Sequence, residues 1–149
     1  MKNIIAAAVF TTLLVSANCL AQSETEIPIE VSIENVKSSK GNIVVSIFKN
    51  EKSFKAEAPD LERSFSKKEV KKGKFSAVLK LPPGTYGIAI LDDENADRKM
   101  NYNALGIPTE GYGFSDFYHS GFSKPKFGNF SFQLFKGKKV LKAIKLRYF

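Results

Sequence analysis

From Ile29 onward, apolar and polar residues alternate with a period of two. Ile29, Val31 and Ile33 are set against Glu30, Ser32 and Glu34, the pattern of a strand with one buried face. After a turn at Ser38-Ser39-Lys40-Gly41, Ile43, Val45 and Ile47 alternate with Val44, Ser46 and Phe48, and the two runs read as a hairpin. Residues 50–66 hold neither period and predict a loop with one helical turn near Ser53. A second hairpin follows, turning at Lys72-Gly73 with Phe75, Ala77 and Leu79 inward, and then a strand over Gly84–Leu91. The rhythm is lost over residues 92–126, which are rich in Asp, Asn, Gly and aromatics. A loop of that length in a small domain is usually functional or folded on itself. The alternation returns at Phe130, Phe132 and Leu134, turns at Lys136-Gly137-Lys138, and ends with Ile144, Leu146 and Tyr148 opposite Lys145 and Arg147. About seven short strands with almost no helical period predict an all-β fold. The expectation is a single antiparallel β-sandwich over residues 29–149, with one long ordered loop at 92–126.

The chain ahead of the sandwich has a different character. Residues 1–21 carry one charge, Lys2, then an apolar run from Ile4 to Val15 and small residues up to Ala21. That is the pattern of a secretory signal peptide, and the apolar centre falls short of the roughly 20 residues a spanning helix needs. The expected cut follows Ala21. Cys19 is a poor lipoprotein acceptor, because Asn18 precedes it directly and no Leu stands three residues upstream. Residues 22–28 (QSETEIP) read as a flexible lead-in. Cleavage would remove the only cysteine, and with it any disulfide, thiol nucleophile or Cys-based metal site. The expected product is an exported monomer, periplasmic or secreted, with no transmembrane segment.

Charge is unevenly spread. The chain has 23 Lys and Arg against 15 Asp and Glu. Residues 136–149 hold six basic and no acidic side chains, whereas residues 92–116 hold six acidic and two basic ones. Lys67, Lys68, Lys71, Lys72 and Lys74 read as solvated positions at turns and sheet edges, where Lys also discourages edge pairing. Export argues against nucleic acid as a partner. An envelope polymer, a peptide or a carbohydrate fits better.

Two stretches resemble known families. The run Phe75-x-x-x-Leu79-x-Leu81-Pro82-Pro83-Gly84-x-Tyr86-x-Ile88 is a strand, a Pro-Gly turn and a second strand, with Pro and Gly supplying the turn's φ angles. It resembles the turn of transthyretin-like and carboxypeptidase-regulatory-like sandwiches. Leu91-Asp92-Asp93-Glu94-Asn95, followed by Leu105-Gly106-Ile107-Pro108-Thr109-Glu110-Gly111-Tyr112-Gly113-Phe114-Ser115, resembles the bacterial secreted family catalogued as domain of unknown function 2141. The resemblance covers residues 29–149. It implies a small exported sandwich domain and no established activity.

The long loop carries the candidate chemistry. Asp93, Asn95, Asp97 and Asn101 place oxygen side chains at the first, third, fifth and ninth positions of a calcium-type loop, and calcium wants six to eight oxygens. The sixth position, normally Gly, is Arg98, and the twelfth, normally Glu, is Ala104. Glu110 or Asp116 would have to fold back to complete the shell. The competing reading is that these Asp and Asn side chains bond their own backbone in turns. Zinc is poorly served, since it prefers His and Cys. Glu110, Tyr112 and Phe114 are candidates for a ligand-binding rim, with Phe117, Tyr118 and Phe122 beside them. Rings of this kind stack on sugars or clamp peptides; the alternative is that they pin the loop to the sandwich. His119 near Ser115 and Asp116 does not make a triad, because no G-x-S-x-G turn is present, and no catalytic residue is identified. The function expected is an exported, non-catalytic binding or envelope-associated module, with a calcium-type site in the 92–122 loop. The alternatives are a purely structural accessory domain and a hydrolase with an unrecognised site.

Overall fold

The computed structural model describes residues 25–137 and 140–149. The leader, its cut after Ala21 and most of the lead-in lie outside the described residues, as does Lys138 of the last expected turn. Eight strands and one short helix follow in order: β1 (Ile27–Glu34), β2 (Asn42–Phe48), α1 (Glu51–Lys55), β3 (Leu61–Ser66), β4 (Lys74–Leu81), β5 (Gly84–Asp93), β6 (Gly111–Phe114), β7 (Ser131–Leu134) and β8 (Val140–Lys145). Single 3₁₀ turns occupy Lys67–Glu69 and Phe127–Asn129. The fold is all-β, in two sheets. One has three strands in the order β4-β1-β8; the other has five, in the order β3-β2-β5-β6, with β7 also on β5. Among the described residues no helix is long and apolar enough to cross a membrane.

The inward rows form one apolar core between the sheets. Ile29, Val31 and Ile33 of β1 meet Ile43, Val45 and Ile47 of β2 and Ile88 and Ile90 of β5, all essentially without exposure. Buried aliphatics of this size each contribute about 1.5–3 kcal/mol, so the alternating rows are what drives the two sheets together.

Three expectations need correction. First, β1 and β2 are not a hairpin: β1 pairs with β4 and β8, and β2 pairs with β3 and β5. Their connection carries positive φ at Asn35 and Gly41 and crosses from one sheet to the other, so the two apolar rows face each other instead of lying side by side. Second, the Lys72-Gly73 turn forms, with Lys71 bridged to Lys74 and positive φ at both central residues. It joins β3 to β4, which again belong to different sheets. Third, the sandwich is not wholly antiparallel. β1 and β8 run parallel, with Ile29 opposite Val140; the long chain between them supplies the crossover that a parallel pair requires. Strands β3 and β6 lie within segments expected to be loops, and β1 begins two residues inside the expected lead-in.

A second, smaller core covers the outer face of the five-stranded sheet. Phe48, Phe54, Phe114, Phe127 and Phe130 form it, with edge-on ring pairs such as Phe54–Phe130 at 4.8 Å between centroids. The single turn of α1 delivers Phe54. Asn50 caps the turn by accepting from the Ser53 amide at 2.9 Å, and Glu51 ties it to the far segment by accepting from the Phe127 amide at 2.7 Å.

Candidate functional site

The outer face of the five-stranded sheet is open beyond the phenylalanine cluster, and there it forms a cleft of about 680 Å³. Its floor comprises Ser46 and Phe48 of β2, Ala89 and Leu91 of β5, and Tyr112 and Phe114 of β6. The segment from Arg98 to Pro108 makes one wall, and His119, Phe122 and Lys124 belong to the other. The rim is apolar and exposed: Tyr102, Leu105, Phe122 and Phe149 are 56%, 82%, 87% and 48% exposed. Arg147 steadies the second wall. Its guanidinium donates to the His119 and Gly121 carbonyls at 3.0 and 2.6 Å and lies 4.1 Å from the centre of the Phe149 ring. Lys124 bonds the Phe54 carbonyl and Glu57 at 3.0 and 2.9 Å.

The alternation in Gly111-Tyr112-Gly113-Phe114 explains how rings reach this floor. A strand sends successive side chains to opposite faces. Gly111 and Gly113 point inward, where an added Cβ would strike the Tyr148 ring and Ile144 respectively. Tyr112 and Phe114 therefore point outward. Phe114 joins the second core, while Tyr112 is half-buried in the cleft.

Beside the cleft, the first turns of the long loop gather acids. Asp93, fully buried at the end of β5, accepts from the Asp97 and Arg98 amides, each at 3.1 Å. Asn95 accepts from the Asp97 amide at 2.9 Å, and Asp97 from the Lys99 amide at 2.8 Å. Asn101 donates to Asp97 at 3.0 Å. Glu110 folds back, accepting from the Glu94 and Asn101 amides at 3.2 and 3.4 Å. One carboxylate oxygen each from Asp93, Asp97 and Glu110 can be chosen so that all three lie within 4.8 Å of one another. Burial raises the Glu110 carboxyl above the usual carboxylate range, the Asn101 and Glu94 amides oppose the rise, and the Asp93 and Asp97 charges add to it. Asp97 is held below its ordinary value, first by the Asn101 side chain and then by the Lys99 amide. Ala96 and Arg98 take left-handed backbone, with φ of 62° and 61°. Arg98 thus adopts the conformation that a Gly normally supplies at the sixth position. Its side chain lines the cleft, and it makes no ion pair within 4 Å of these carboxylates among the described residues.

The structure therefore brings Asp93, Asn95, Asp97, Asn101 and Glu110 together, and places Tyr112 and Phe114 on the cleft floor. Glu110 belongs with the acids and not with the rings. Asp116 goes elsewhere, accepting from Lys142 at 2.7 Å and from the Ala143 amide at 3.2 Å. Ser115 is buried, donating to the Phe130 carbonyl at 2.7 Å and accepting from the Ile88 amide at 3.1 Å. His119 contacts the Ser123 carbonyl at 2.6 Å.

One cluster escaped the sequence reading. Lys67, expected in solvent, is completely buried, and its ammonium lies against the equally buried Asp92. The Tyr148 hydroxyl donates to Asp92 Oδ2. Burial and the Asp92 carboxylate push that phenol well above the usual range. Lys67 also donates to Ser38 Oγ at 3.2 Å, and Ser38 donates to Glu94 Oε1 at 2.8 Å. The available signal was the phase of β5: Asp92 stands in register with Ile88 and Ile90 on the core face. Nothing local in the sequence marks Lys67 as its partner.

No curated protein and no solved structure matches the chain. A family model described as an uncharacterized protein conserved in bacteria matches residues 31–142, most of the described domain. The chain belongs to that family, DUF2141.

Proposed function

We propose that this domain is an exported, non-catalytic binding module of the bacterial cell envelope, and that its ligand lies in the cleft on the outer face of the five-stranded sheet. The observation that carries the reading is the cleft itself. It joins a floor that carries the rings of Phe48, Tyr112 and Phe114 to a rim of exposed Tyr102, Leu105, Phe122 and Phe149. Concave, mostly apolar sites with a few polar groups are where proteins hold ligands, and exposed rings of this kind stack on sugar rings or the side chains of a peptide. A loop serving only to close the sandwich would have buried its own Tyr102, Leu105 and Phe122.

The test is ligand-observed NMR with two probe sets, chito-oligosaccharides and short phenylalanine-containing peptides. A Tyr102→Ala, Phe122→Ala double variant serves as the control. Saturation transfer to either set that the double variant loses supports the reading. Transfer that survives it, or none from either set, moves the structural accessory role into first place.

A second element of the proposal is a calcium-type cation at Asp93, Asp97 and Glu110, with Asn95 and Asn101 as neutral oxygen donors. Three carboxylates within 4.8 Å favour it, because hard cations are held by converging oxygens. The amide bonds already made do not exhaust those oxygens, each of which has two lone pairs. The cation would brace the loop whose other side, from Arg98 to Pro108, walls the cleft.

A further inference from the structure

We propose that Lys67 and Asp92 become joined by an intramolecular isopeptide bond, which ties the turn after β3 to the end of β5. Both side chains have no solvent exposure. The Lys67 nitrogen lies against Asp92 Oδ1, yet that oxygen is buried without a hydrogen-bond partner. The amine and the carboxyl group are therefore in direct contact in a dry interior, and no other donor holds the oxygen that would leave.

The surroundings supply the rest of the chemistry. The Tyr148 hydroxyl donates to Oδ2, where negative charge develops when the carboxyl carbon is attacked, as an oxyanion donor does. Glu94 Oε1 is 3.8 Å from the Lys67 nitrogen. A hydrogen-bonded path also connects them, through Ser38 Oγ in steps of 3.2 and 2.8 Å. The Glu94 side chain is 46% exposed, so the relay ends at solvent while the reacting pair stays dry.

The step balances without an oxidant or a reductant. One proton passes from the Lys67 ammonium to Asp92 Oδ1, giving a neutral amine and a neutral acid. The nitrogen lone pair attacks Cγ and an N–C bond forms. A second proton leaves the nitrogen through Ser38 to Glu94 and is returned to Oδ1; the Cγ–Oδ1 bond breaks and one water departs. Oδ2 remains as the amide oxygen, still bonded by Tyr148. Water-free contact raises the effective concentration of the two groups by orders of magnitude and removes the water that would reverse the reaction. The product is also uncharged, whereas an ion pair kept out of water carries a desolvation cost that its own attraction often fails to repay.

Intact-mass spectrometry of the purified full chain under denaturing conditions tests this, together with a tryptic map. The expected mass lies about 18 Da below that of the processed sequence, one water being lost in forming the covalent link. The map should show no cleavage after Lys67, and a branched peptide should join the segments around Lys67 and Asp92. Mapping separates this loss from cyclisation of an N-terminal Gln22, which lies in another peptide. Asp92→Asn would release ammonia in place of water, so its loss falls by about 1 Da, and Glu94→Gln should leave most of the chain unlinked. A wild-type chain of full mass that trypsin cuts after Lys67 overturns the proposal, whatever the variants do.

Discussion

Replacing Glu110 by glutamine separates the cation reading from simple turn chemistry, because the change acts in different ways with and without calcium. Glu110 is 7% exposed and lies within 4.8 Å of buried Asp93, oxygen to oxygen. Two carboxylates at that separation repel by about 3 kcal/mol at an effective dielectric of about 20; solvent at the open side of the loop screens this to about 1 kcal/mol. A neutral amide in place of the carboxylate would relieve that repulsion but would keep a good acceptor for only one of the Glu94 and Asn101 amides, a loss of about 1 kcal/mol. Without metal at pH 7 the two effects nearly cancel, and the midpoint of thermal unfolding should stay close to wild type. The pH dependence should not. The folded Glu110 carboxyl titrates above its ordinary value, so on raising the pH the unfolded chain loses this proton first. Wild-type stability therefore falls as pH rises from the ordinary carboxylate range through the folded value, then levels off. The variant lacks that descent. With calcium at a hundred times its dissociation constant, the wild type gains about 2.7 kcal/mol, or about 10 °C for a domain of about 120 ordered residues. Differential scanning calorimetry with millimolar calcium, then with chelator, reads all three effects. A wild-type midpoint indifferent to calcium refutes the cation. An equal gain in the variant removes Glu110 from its shell.

The remaining predictions concern the supports of the site. Gly111→Ala should destabilise by about 1–3 kcal/mol, since the new Cβ would lie 2.3 Å from the edge of the Tyr148 ring; urea melts should show the double variant with Tyr148→Ala less destabilised than the two single changes add up to. Ser115→Ala strands the buried Phe130 carbonyl and Ile88 amide that the hydroxyl bridges and should cost about 1–3 kcal/mol; a loss below about 0.5 kcal/mol in the same assay would contradict the bridging role. Arg98→Gly removes a left-handed non-glycine residue, worth about 1–2 kcal/mol, but frees the unfolded chain by about 0.4–1 kcal/mol. Its metal-free midpoint should rise slightly, and isothermal calorimetry should show tighter calcium binding than wild type.

Sequence pattern revealed the buried rows but not which rows share a sheet. The period-two runs of β1, β2 and β4 each identify their inward residues correctly, because burial on one face leaves a local trace. Pairing leaves none: β1 and β2 satisfy a hairpin reading and a cross-sheet reading equally well. Strand β3 was obscured by Arg63, which sits between Leu61 and Phe65 on the less exposed side of an edge strand. Strand β6 was obscured for the opposite reason. Its glycines occupy the core face and its rings the outer one, an inversion made by Tyr148 and Ile144, which fill the space the glycines leave. The acids of the loop were legible as a set, because the alternate spacing of Asp93, Asn95 and Asp97 is local. The cleft was not, since its second wall comes from residues 119–125 and from Phe149.

The two acids that end β5 join these features. Adjacent residues on a strand face opposite sides of the sheet, and Asp92 and Asp93 are both fully buried. One must therefore be satisfied within the sandwich and the other on its outer face. Asp92 ends the row of Tyr86, Ile88 and Ile90, where Lys67 and Tyr148 close the core. Asp93 ends the row of Gly87, Ala89 and Leu91, where the amides of Asp97 and Arg98 wrap it. A covalent link at Asp92 would fix the strand end from below, and a cation at Asp93 would fix the loop that springs from it. Both constraints would act on the segment that walls the cleft, so rigidity there would come from the end of a single strand. This makes the order of effects testable: loss of the Asp92 link should loosen the loop and weaken calcium binding, whereas removal of calcium should leave the link intact.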